Sequence, residues 1–175
     1  PLAELVKIDP KSIGVGQYQH DMPQARLGEA LSGVVEDCVN SVGADLNTAS
    51  VSLLEHVAGI NSAVAKNVVA YREENGAFTD RKQLLKVKGL GAKAYEQCAG
   101  FLRVAGGKNP LDNTSVHPES YAATEKLLAK YDISVKNFTP QVVATIPFPE
   151  DDVSLTALAD ELELGVPTLK DIIKE

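Results

Sequence analysis

The chain has 175 residues, 44% of them hydrophobic, which suffices for a packed core and excludes a disordered chain. Aromatics are scarce at 5% with no Trp, and Ala, Leu and Val dominate, a composition suited to helix-on-helix packing rather than a β-sandwich. The net charge of −7 argues at first against a nucleic-acid partner, and no apolar run approaches the roughly 20 residues that a membrane helix needs.

In chain order, residues 1–7 read as the end of a helix broken by Asp9-Pro10, and Ile13 to Asp21 as a short extended or looped stretch. The N-terminus has no basic and apolar leader and does not read as a secretory signal, the start without Met points to a boundary inside a longer protein, and two scattered cysteines suit a reducing cytoplasm. Pro23 opens a long helix to about Val42, with a buried stripe expected at Leu27, Leu31, Val34, Val35, Cys38 and Val42, and Gly43 stops it. Asn47, Thr48 and Ser50 are N-cap types, so a helix is expected from there to about Val57. A break at Ala58 to Asn61 leads to a second helix ending at Asn75-Gly76. Thr79 or Asp80 caps a third over about 80–86, and a break at Lys88 to Gly91 leads to a fourth ending near Val104. Gly106 to Pro110 is a linker. A helix starting at His117-Pro118-Glu119 runs to about Tyr131, 133–149 is irregular with extended pieces near 142–146, Ser154 caps a helix to about Leu164, and after Gly165-Val166-Pro167-Thr168 a last helix follows. The class is mainly α, and the expected domains are 1–44 (preceding tail and long connecting helix), 45–106 (a tandem hairpin domain) and 107–175 (a second small helical domain).

A repeat carries the functional argument. Val57-Ala58-Gly59-Ile60-Asn61 aligns with Val87-Lys88-Gly89-Leu90-Gly91, thirty residues on, each copy between a Leu-containing helix and a helix whose small or apolar positions match, Ala65 with Tyr95 and Val68 with Cys98. So tight a hairpin needs positive φ or close backbone approach, which Gly supplies and Asn best replaces, while Ile60 and Leu90 point inward and pin the turn. The following helix then offers free N–H groups and its dipole to an anion such as phosphate.

Charge distribution agrees. Residues 53–108 carry nine basic and five acidic side chains, net +4, whereas 1–52 are net −4 and 109–175 net −7. The candidate phosphate contacts are Gly89, Leu90, Gly91 and Lys93, with Lys86 and Lys88 adding field; Gly59, Ile60 and Asn61 form a weaker copy, with Ala63 where the second has Lys93. The structural alternative is that both hairpins are only tight corners.

Other motifs carry less. Gly14-Val15-Gly16 lacks the third Gly of a dinucleotide loop, and His20, His56 and His117 lack metal-ligand spacing. Cys38 and Cys98 form no CxxC and are expected as small buried hydrophobes; the acidic runs near 150–152 and 160–163 lack calcium-loop spacing and read as solvated. No catalytic constellation, metal site or cofactor site is found, so the expectation is a non-enzymatic binder of DNA or RNA backbone. The rival is a non-catalytic scaffold whose hairpins brace the long helix and whose acidic C-terminal third docks a protein, the third break at Gly165 being structural or protein-facing.

The runs Leu46 to Ala49, Ala58 to Ile60, Tyr71 to Phe78 and Leu84 to Lys93 resemble the paired helix-hairpin-helix domain of competence DNA-binding proteins. With Asp9 to Asp21, Val34 to Asn40, Asn109 to Asp112, Val116 to Glu119 and Gly165 to Leu169, they resemble more closely the Tex family of bacterial transcription accessory proteins. That resemblance implies a larger protein, with an N-terminal helical region, a ribonuclease-H-like domain whose tail would be residues 1–21, and an S1 RNA-binding domain absent from this sequence. It also implies a role in transcription and a core shared with a eukaryotic elongation factor.

Overall fold

The computed structural model describes residue 12 and residues 19–135, 146–149, 151–162 and 164–174; the expectations for 1–7, Asp9-Pro10, 13–18 and 142–145 lie outside them. The fold is mainly α and divides into two compact units, residues 1–104 and 105–175.

In the first unit, a 3-10 turn at Gln19–Asp21 precedes the long helix α1, Gln24–Val42, which ends at Gly43 with φ +80°. The buried face of α1 differs from the expected stripe. Leu27 and Val39 are buried and Leu31 and Val35 half-buried, but Val34 and Val42 are each 59% exposed and Cys38 is exposed. Two overlapping apolar stripes compete on this helix, and the hairpin core covers the one through Val35 and Val39.

Strand β1, Ala44–Asp45, follows and pairs in parallel with β2, Leu102–Arg103, the one strand pair among the described residues. Between them lie the hairpins. Helix α2 is a single turn, Val51–Leu54, capped by Ser50 and shorter than expected. Helix α3, Ser62–Asn75, is stopped by Gly76 at φ +83°. Arg81–Lys86 is 3-10 rather than α, with an Asp80/Gln83 capping box. Helix α4, Ala92–Cys98, passes through a 3-10 turn at Ala99–Phe101 into β2, so the expected helix to Val104 ends early, where Leu46 N–H donates to the Arg103 carbonyl at 2.9 Å.

One core holds the unit, with Leu46, Leu54, Val57, Ile60, Val68, Leu84, Leu90, Cys98 and Leu102 in one cluster. Phe78 closes it by stacking on Tyr71 at 5.1 Å between ring centroids, and its backbone is gripped at both ends: its N–H donates to Asn47 Oδ1 at 2.7 Å and its carbonyl accepts from Asn47 Nδ2 at 3.0 Å. Such pairing satisfies a backbone segment that no strand reaches.

The second unit has 3-10 turns at Pro110–Asn113 and Pro118–Ser120, then α5 (Tyr121–Lys130), α6 (Asp152–Glu161) and α7 (Val166–Lys174). The cap of α6 is Asp151, whose Oδ1 accepts from Ser154 N–H at 2.8 Å, so the expected capping role of Ser154 is reversed. Helix α7 starts at Val166, so Pro167 lies in its first turn rather than in a break. Leu127, Leu155, Leu158, Leu162 and Leu169 form the core. No helix among the described residues is long and apolar enough to cross a membrane.

Candidate nucleic-acid interface

The repeat is a repeat of backbone conformation. Ile60 N–H donates to the Val57 carbonyl at 3.0 Å, and Leu90 N–H to the Val87 carbonyl at 3.2 Å, closing two four-residue turns. The third residue of each is a left-handed glycine, Gly59 at φ +82° and Gly89 at φ +85°. No residue between 57 and 61 or 87 and 91 other than these two has positive φ, so both turns are type II, which demands Gly at that position. Ile60 and Leu90 are buried at 6% and 5%, with amides used in the turn bonds. They pin the turns and offer nothing to a ligand directly.

The fifth positions correct an expectation. Asn61 (φ −95°, ψ 170°) and Gly91 (φ −81°, ψ 170°) are extended N-caps of α3 and α4. Neither is left-handed, so Asn61 is there for its side chain: its Oδ1 accepts from Val64 N–H at 2.9 Å. Gly91 has no side chain, and α4 starts uncapped. The first hairpin thus fills one of its own amide donors and the second leaves it open. Among the described residues, nothing accepts a hydrogen bond from Gly59 N–H or Gly89 N–H.

The two hairpins brace each other with the same offset of thirty. A Cβ at Gly59 would lie 2.8 Å from Gln97 Cβ and 3.1 Å from the Ala94 carbonyl oxygen, so turn one rests on α4. A Cβ at Gly89 would lie 3.7 Å from both Val64 Cγ2 and Asn67 Nδ2, so turn two rests on α3. Positions 94 and 97 correspond to 64 and 67. The contacts are reciprocal, as about a pseudo-twofold axis: each turn rests on the helix that follows the other turn. Outside the repeat, Asn40 of α1 holds turn one: Ala58 N–H donates to its Oδ1 at 3.1 Å.

The basic residues separate into two groups. Arg81 is fully buried, its Nε donating to the Leu102 carbonyl at 2.8 Å. Half-buried Arg72 donates from Nη1 to the carbonyls of Leu46 at 2.9 Å and Ala49 at 2.8 Å, and half-buried Arg103 to that of Gly100 at 2.6 Å. These arginines work as backbone braces. Between residues 45 and 104 the exposed cations are Lys66, Lys82, Lys86, Lys88 and Lys93. Lys88 sits in turn two and Lys93 in the first turn of α4, while the matching positions of the first hairpin hold Ala58 and Ala63. Lys66, which stands where the second copy has Glu96, is a basic neighbour that the motif did not single out.

No group of three His, Cys, Asp or Glu side chains that could hold a metal occurs among the described residues. Asp152 instead pairs with Lys170 at 2.9 Å and Glu161 pairs with Lys130. Burial pushes the Cys98 thiol up to about 12.

Comparison with known proteins agrees with this geometry. The family model for the helix-hairpin-helix motif matches residues 39–103, and that for an HHH domain matches 109–175. The chain is 56% identical over all 175 residues to protein YhgF of Escherichia coli K12, and 54% identical over the same length to the transcriptional accessory protein Tex of Neisseria gonorrhoeae. It is 37% identical, over 99% of its length, to the human S1 RNA-binding domain-containing protein 1. The chain spans about a fifth of these relatives, 22% of each.

Proposed function

Because the chain belongs, along its whole length, with the Tex/YhgF family and carries that family's helix-hairpin-helix domains, we propose that its paired hairpins hold DNA or RNA by the phosphate backbone, without reading base sequence, as the binding element of a cytoplasmic transcription accessory factor. The observation that carries this is the second hairpin: a Gly89 N–H with no acceptor among the described residues, the start of α4 at Gly91 without a side-chain cap, and exposed Lys88 and Lys93 beside them. Amide donors and lysines suit phosphate and carry no sequence information. The names of the gonococcal and human relatives, a transcriptional accessory protein and an S1 RNA-binding-domain protein, support the setting. Lys86 adds field from the preceding 3-10 segment, and the first hairpin, its donor filled by Asn61, serves mainly as support.

Residues 109–175, net −7, contribute no affinity in this reading, and the element is not an enzyme. The test is a salt titration of the chain binding duplex DNA, single-stranded DNA and RNA of several sequences. Weak binding on all, falling steeply with salt at about 0.7–0.9 log units per phosphate contact, is expected. Tight, salt-insensitive binding to one sequence refutes it, as does metal-dependent cleavage by the pure chain.

A second reading is a protein-docking scaffold. It is favoured by the exposed Val34 and Val42 on α1 and by the acidic third. It expects nucleic-acid affinity to be indifferent to Lys88 and Lys93.

A further inference from the structure

Asn67, on α3 of the first hairpin, donates from Nδ2 to the Lys88 carbonyl of the second hairpin's turn at 2.7 Å. In a type II turn the peptide joining the second and third residues can flip, which converts the turn to type I and takes the third residue from positive to negative φ. That peptide is here Lys88–Gly89. Its carbonyl and N–H point in opposite directions because the bond is trans. A donor fixed on the Lys88 oxygen therefore fixes the direction of the Gly89 N–H, away from Asn67. The Gly89 amide has no acceptor among the described residues, and Gly89 is exposed.

We propose that Asn67 is a positioning residue for phosphate binding: by locking the Lys88–Gly89 peptide plane, it aims the Gly89 amide at the ligand. The inference rests on the reading of hairpin two as the phosphate site. It adds that this site is completed from the other hairpin, so a separated second hairpin lacks the lock. The asymmetry supports it. At the pseudo-symmetric position stands Gln97, and among the described residues no counterpart bond runs from it to Ala58. Only the turn flanked by Lys88 and Lys93 has its central peptide held in this way.

The experiment uses the whole chain with Asn67→Leu, which keeps the size and removes the donor, and Asn67→Asp, which keeps the shape and offers the Lys88 oxygen an acceptor. Melting temperature, affinity for a duplex oligonucleotide, and the Gly89 amide resonance during titration with inorganic phosphate are read for each, with Lys88→Glu/Lys93→Glu alongside. Asn67 is half-buried on one side of a 14-residue helix, so both variants should fold. The expected result is a loss of duplex affinity of about fivefold, the worth of one hydrogen bond, with the phosphate response of Gly89 reduced in both. Unchanged affinity and an unchanged Gly89 response in a folded variant overturn the positioning role. If Asn67→Leu fails to fold, Asn67→Asp decides by the same readings. If the double lysine reversal also leaves affinity untouched, the reading of hairpin two fails with it; if the reversal abolishes affinity and the Asn67 variants do not, only the positioning role falls.

Discussion

Gly59 meets Gln97 across the hairpin pair so closely that a Cβ at residue 59 would stand 2.8 Å from the Gln97 Cβ. Gly59 therefore answers two demands, a left-handed backbone at φ +82° and space for the opposite helix. Gly89 answers only the first, since its nearest neighbours would be at 3.7 Å.

The two glycines should separate on substitution. Gly89→Ala carries the left-handed penalty alone, about 1–2 kcal/mol. Gly59→Ala adds overpacking against α4, about 1–3 kcal/mol more. Urea unfolding of both variants checks the order; equal losses would contradict the close approach.

The N-caps offer a swap with opposite signs. Gly91→Asn should cap α4, raising stability by a few tenths of a kcal/mol, roughly, and weaken nucleic-acid binding by filling an amide donor. Asn61→Gly should cost a few tenths of a kcal/mol, roughly, and leave binding unchanged or strengthened. Gly91 is extended rather than left-handed, so strain has no part in either change. Melting temperature and duplex affinity measured together read both signs.

Reversing Lys88 and Lys93 to Glu should leave the melting temperature within a few degrees, since both side chains are exposed. Duplex affinity should fall steeply, and the slope of log affinity against log salt should drop by nearly two contacts, about 0.9 each. An unaltered affinity in the folded protein would favour the scaffold.

Arg81 should behave as a core residue despite its charge. Arg81→Ala leaves a cavity and strips the Leu102 carbonyl of its donor, at a cost of about 2–5 kcal/mol. Thermal unfolding checks this, and a loss of binding without loss of stability would contradict it.

The cysteines should differ in reactivity. Exposed Cys38 should alkylate readily in the native protein, whereas Cys98, buried with its thiol held up to about 12, should react only on unfolding. Because the folded thiol stays protonated where the unfolded one ionises, Cys98 contributes stability below the ordinary thiol range. That contribution declines as pH rises from there toward 12. Mass spectrometry after alkylation, and stability measured from pH 8 to 11, test the two statements.

The parts of this structure legible in the sequence were those governed by local chemistry. The glycine at the third position of each turn, the inward Ile60 and Leu90 and the Asp80 cap are all demanded by a few neighbouring residues. What stayed hidden depends on residues far apart in the chain. Nothing adjacent to Arg81 announces a buried partner at Leu102, and nothing on α1 says which of two interleaved apolar stripes the hairpins will cover. Asn67 looks like any helical polar residue until the fold sets it over Lys88. Gly91 was expected for a left-handed backbone or close approach, but it is extended, and what sets it apart from Asn61 is the capping side chain it lacks.

The parallel pairing of β1 with β2 has a mechanical side. The chain enters the hairpin domain along Ala44–Asp45 and leaves it along Leu102–Arg103, running in the same direction side by side. Tension transmitted along the polypeptide pulls the two strands past one another, loading their hydrogen bonds together rather than peeling them singly. The domain is thus clasped at the neck, where a pull on its flanking segments would otherwise begin to unravel it.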